Sequence, residues 1–133
     1  MEEKFKFTAN EKVQLIQIAN RIRMRMGDTI KKEDEDNLKK QLIAEITDNR
    51  IRRDVFGLNP ILLSFQTAEL ELEEIGMKRE CVLAILLYNS IINGNLSLEQ
   101  TEVTYGKSVA HIIHGLVRIH ELYTKTPVIE SEN

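Results

Sequence analysis

The stretch KRECVLAILLYNSIING, Lys78 to Gly94, limits the folds open to this chain more than any other. Its pattern is helical to about Ile92, but Cys81 to Leu87 are all apolar, so the helix has no polar face. A helix apolar all round is stable only when other elements cover every side. The run is well short of the roughly 18 residues a membrane span needs. The rest of the chain must therefore wrap it.

Amphipathic helices suited to that task flank it. Thr8 and Glu11 have capping-box spacing, and Leu15, Ile18, Ile22 and Met26 follow at helical intervals until Gly27. The charged connector TIKKEDEDNLKK leads into a second helix with Leu38, Leu42 and Ile46 on one face, ended by Asp48-Asn49. Asn59 as N-cap and Pro60 at the first position start a third helix, whose stripe is Ile61, Phe65, Ala68, Leu72 and Ile75. Glu69, Glu71, Glu73 and Glu74 fill its polar side, and Gly76 stops it.

After the central helix, Asn93 to Asn95 break the chain and Ser97 with Gln100 cap a short fifth helix to Tyr105-Gly106. A sixth carries Val109, Ile112, Leu116, Ile119 and Tyr123, with Pro127 beyond it. The expectation is all-α: a compact bundle of about six helices in a single domain, 1–133. The low aromatic content (5%) and absence of Trp fit helices better than sheet.

Net charge is −3, so no global field draws the chain to nucleic acid or an anionic membrane. The basic clusters Arg21 to Arg25 and Arg50 to Arg53 are expected as solvated faces, as is the acidic start Glu33 to Asp36. Cys81 is the lone cysteine, expected as a buried structural thiol. With no signal-peptide pattern, the expected compartment is the cytoplasm. His111 and His114 share a face, but a metal site needs a third ligand and His120 is rotated away. There is no Gly-rich phosphate loop and no nucleophile-base arrangement.

Two segments carry a family resemblance. NPILLSFQTAELELEEIGMKRECVLAILLYNSI and LSLEQTEVTYGKSVAHIIHGLVRI resemble the N-terminal hydrolase domain of the long RelA/SpoT proteins, which make and degrade (p)ppGpp. They match G-x-P-Y-I-x-H-P, then L-G-L/M, then L-L-H-D, and finally L-x-x-I-x-x-x-F-G-x-x-V-x-x-L-V-x-G-V-x-K. With Pro60 on the family proline and Ile75-Gly76-Met77 on L-G-L/M, no gap is needed. The first metal-binding histidine then falls at Ser64, and the His-Asp doublet at Tyr88-Asn89.

The resemblance implies an HD-type helical core at 58–122, with N-terminal helices over 8–57 and a connector at 123–133. It also implies Mn2+ in hydrolase members, and Mg2+ with ATP and GDP or GTP in synthetases. Ser64, Tyr88 and Asn89 offer neither imidazole nor carboxylate, so no metal, cofactor or catalytic residue is expected here. Basic residues before G-x-P are replaced near Asp54-Val55-Phe56, with Arg52 and Arg53 out of step. His114 and Val117 replace the Asp and Thr of V-D-G-V-T-K.

The resemblance therefore implies the pseudo-hydrolase domain of a RelA-like GTP pyrophosphokinase, a fragment acting on a downstream synthetase domain and reaching the ribosome through its parent. The family's last metal aspartate is expected beyond Asn133. A surface left open by such a cut invites a homodimer. Two alternatives stand beside it: a live (p)ppGpp hydrolase using His111 and His114, and a stand-alone helical interaction module.

Overall fold

The computed structural model describes residues 4–76 and 78–125, apart from the side chains of Ile75 and Lys125. Met77, Pro127 and most of the 123–133 connector lie outside the described residues. Six α-helices and no strand occur among the described residues: α1 (Ala9–Met26), α2 (Lys32–Thr47), α3 (Pro60–Ile75), α4 (Arg79–Ile92), α5 (Leu98–Tyr105) and α6 (Lys107–Lys125). A short 3-10 turn, Gly27–Thr29, joins α1 to α2. No described helix is long and apolar enough to cross a membrane.

The capping residues act as their chemistry dictates. Thr8 Oγ1 accepts from Glu11 N at 3.1 Å while Glu11 Oε1 accepts from Thr8 N at 2.9 Å, and Ser97 and Gln100 do the same for α5. Asn59 Oδ1 accepts from the N–H groups of Ile61 and Leu62, two orphan donors of α3. Gly76 ends α3 at φ 72°, a left-handed conformation that a Cβ disfavours.

α4 is the centre of the bundle. Val82, Ala84 and Leu87 expose nothing, and Leu83 and Leu86 are buried with them. α1 packs on α3, α3 on α4, and α4 and α5 on α6, whereas α2 stands off from its neighbours. Leu38 of α2 is buried, but Leu42 and Ile46 are only half-buried because the stripe faces a groove.

Four expectations need correction. The buried edge of α6 is Val109, Ala110 and Ile113, while Ile112 and Leu116 are half-buried and Ile119 and Tyr123 lie open to solvent. Small Ala110 fits against the bundle and sets a phase that large apolar residues alone do not show. Cys81, at the edge of α4, is half-buried rather than buried.

The basic cluster of α1 is a solvated face as expected, with its charges paired across the surface: Arg21 pairs with Glu69 and Arg25 with Glu73, two rungs in the same register along α1 and α3. The third correction is Arg53, which leaves the solvated class. It binds Glu11, donates to the carbonyls of Lys6 and Gly57, and lies 5.4 Å above the Phe5 ring. Glu11 is held at about 2 by that guanidinium, with the Thr8 amide adding to the effect.

The acidic start of α2 is the fourth correction. Asp34 is only 5% exposed and is gripped by Arg79, Nε to Oδ2 at 2.7 Å and Nη2 to Oδ1 at 2.8 Å. Arg79 also donates to the Tyr105 carbonyl at 3.1 Å, joining the N-terminal ends of α2 and α4 to the end of α5. The guanidinium lowers the Asp34 pKa, whereas burial, helped by Asp34, pushes the Tyr105 phenol up to about 12.

Candidate functional site

Ser64 lies one turn into α3, four residues after Pro60, where a serine hydroxyl reaches back to the carbonyl of the preceding turn. Its Oγ donates to Pro60 O at 3.0 Å. The same oxygen accepts from Asn89 Nδ2 of α4 at 2.9 Å. Asn89 Nδ2 is also 3.5 Å from Pro60 O. Two of the three singled-out positions thus meet, as a closed chain of neutral hydrogen bonds between α3 and α4.

Tyr88, next in sequence, faces elsewhere because adjacent helix positions are about 100° apart. Its ring is edge-on to His120 of α6, with centroids 6.3 Å apart. Burial raises the Tyr88 phenol above its ordinary value. His120, expected to be rotated away from His111 and His114, is the neighbour of Tyr88.

Beside Ser64 and Asn89 lies a residue that pattern reading passes over. Glu45 of α2 is only 4% exposed, and its carboxylate accepts from Ser90 Oγ at 2.6 Å, Gln41 Nε2 at 2.9 Å and Asn95 Nδ2 at 2.8 Å. A cavity of about 20 Å³ separates the two sets, lined on its polar side by Glu45, Ser64, Asn89, Ser90 and Asn93. That volume suits a single water, which needs polar partners such as these. No periodicity marks Glu45 as buried; only Ser90, one residue past Asn89 on α4, hints that polar groups continue inward.

A divalent ion needs imidazole nitrogen or carboxylate oxygen to replace its hydration and to acidify a bound water. The residues at 64, 88 and 89 do not fit one. Ser64 and Asn89 are neutral and engaged with each other, and Tyr88 is a phenol whose proton is held more tightly than usual. His111 and His114 sit on the solvent face of α6. Among the described residues, no group of three or more His, Cys, Asp or Glu side chains is placed to hold a metal.

A second, larger cavity of about 380 Å³ opens between α1 and α2. Its walls are apolar and include Leu15 and Ala19 of α1, Leu42 and Ile46 of α2, Phe65 of α3 and Leu86 of α4. Arg23 and Glu35 close across its mouth, with Nε to Oε1 at 2.9 Å. No protein-family profile, curated protein or solved structure matches the chain.

Proposed function

We propose that this chain is the degenerate hydrolase domain of a RelA-like (p)ppGpp synthetase. In this reading it is catalytically silent and restrains or positions a synthetase domain that follows it. The observation that supports the reading best is the hydrogen bond from Asn89 to Ser64. In the register of the resemblance, two ligand positions of a metallohydrolase are filled by neutral groups that satisfy one another. Such a pair stabilises the α3–α4 contact and carries no charge to organise a cation.

In the parent, pyrophosphate transfer from ATP to the 3′ oxygen of GDP or GTP belongs to the synthetase, with Mg2+. The helical domain contributes a rigid body whose attitude sets how open that site is. Contact with the ribosome runs through the parent, and this segment itself binds no nucleic acid.

The test has two arms. Incubated with ppGpp and Mn2+, the chain is expected to release no pyrophosphate. In the long protein, removing residues 1–133 is expected to change the rate of ppGpp synthesis severalfold. Manganese-dependent release that vanishes in a His111→Ala/His114→Ala variant overturns the silent reading, and an unchanged synthesis rate overturns the regulatory one.

A further inference from the structure

The groove between α1 and α2 bears a recognition chemistry that the Ser64–Asn89 locus does not share. Its floor reaches core residues Phe65, Leu83 and Leu86, and its volume of about 380 Å³ falls within the range of small-molecule pockets. Its walls offer almost no hydrogen-bonding groups, so the body of an occupant must be apolar. α2 forms one wall and stands off from its neighbours, fastened near its ends by Asp34 to Arg79 and by Glu45 to Ser90.

The mouth specifies the head. Arg23 of α1 binds the Glu35 carboxylate across the opening and is steadied by Asn20 Oδ1 at 2.9 Å. Asp34 is neutralised by Arg79, and Arg23 by Glu35, which leaves Lys39 on the rim without an ion-pair partner among the described residues. The rim thus carries one excess positive charge beside a guanidinium already shaped around a carboxylate. Arg23 and Glu35 are both partly solvated, so exchanging Glu35 for another carboxylate costs little.

We infer that this groove binds a medium-chain fatty acid, with the alkyl chain between α1 and α2 and the carboxylate on Arg23 and Lys39 in place of Glu35. The binding stands independently of the proposed role of the domain and is read without any ppGpp assay.

Decanoate, decanol and butyrate are the probes, used below their micellar range. The chain has no Trp, so Ile43→Trp on the exposed lip of the groove supplies a local fluorescence signal. Decanoate is expected to shift that emission to the blue and to raise the melting temperature of the unsubstituted chain. It should bind at least about tenfold more tightly than decanol, as a charge-assisted contact implies. Butyrate should do neither.

Glu35→Gln frees Arg23 and is expected to tighten decanoate severalfold, while Arg23→Gln with Lys39→Gln brings decanoate down to the level of decanol. Equal affinity for decanoate and decanol overturns the inference. So does an unchanged ratio in both variants, or the absence of any melting shift and emission change in the Ile43→Trp chain.

Discussion

Asp34 and Glu45 lie on the same helix and are almost equally withdrawn from water, at 5% and 4% exposure. They meet burial in opposite ways. Asp34 faces a guanidinium that donates twice and neutralises it, whereas Glu45 is enclosed by a hydroxyl and two amides that carry no charge. The difference teaches that α2, beyond its apolar contact through Leu38, is held by two dissimilar polar fastenings. One fails when a charge is stranded, the other when neutral donors are.

The sharpest way to break the comparison is Arg79→Met, which leaves a buried carboxylate without its guanidinium and with only the Lys31 amide as donor. A loss of about 3–5 kcal/mol is expected in urea unfolding. Adding Asp34→Leu should recover much of it, because a well-packed apolar pair replaces a buried ion pair at little net cost. A single variant as stable as the parent chain would remove Asp34 from the set of buried charges.

Glu45→Ala is expected to cost less, about 1–3 kcal/mol. Gln41 and Asn95 are half-buried and regain water, so the loss comes chiefly from Ser90, which does not. If the two variants were equally damaging, the neutral cage around Glu45 would be acting as a charged one.

Acid separates a third case. Arg53 lowers the Glu11 pKa from 4.5 to about 2, so the folded state binds the proton more weakly than the unfolded chain. The stabilisation is therefore complete above about pH 4.5 and disappears as pH falls toward 2. Asp34, also depressed, loses its contribution in the same direction on acidification. Because Glu11 is partly solvated, its share is about 1 kcal/mol after screening. Stability measured from pH 6 down to pH 2 should fall less steeply in Arg53→Ala.

An effect no larger belongs to the locus singled out by the resemblance. Ser64→Ala removes one hydrogen bond from half-buried Asn89, which also lies near the Pro60 carbonyl, and is expected to cost about 1 kcal/mol in thermal unfolding. A loss as large as that of Arg79→Met would mean that Ser64 organises more than this contact.

Most of the architecture was legible because it rests on local chemistry. The Thr8–Glu11 and Ser97–Gln100 boxes, the Asn59-Pro60 start and the Gly76 stop each act within one turn, so their spacing suffices. The central position of α4 followed from its missing polar face. What depends on distant residues was hidden: Asp34 reads as one acid in a charged run until Arg79 is seen 45 positions away. Glu45 and Ser90 have the same separation. The proximity of Ser64 and Asn89 was implied by the resemblance, not by any period in the sequence, whereas the turning away of Tyr88 toward His120 depends on how α4 packs against α6.

A helix with few close backbone contacts to the bundle, set over an apolar groove, is expected to open before the bundle beneath it. Its amides should exchange with deuterium ahead of those in α4, as an opening that leaves the remaining helices folded. A protease acting on the native protein would then meet the peptide bonds of α2 first, and the lifetime of the domain among such enzymes would be set by that opening rather than by global unfolding.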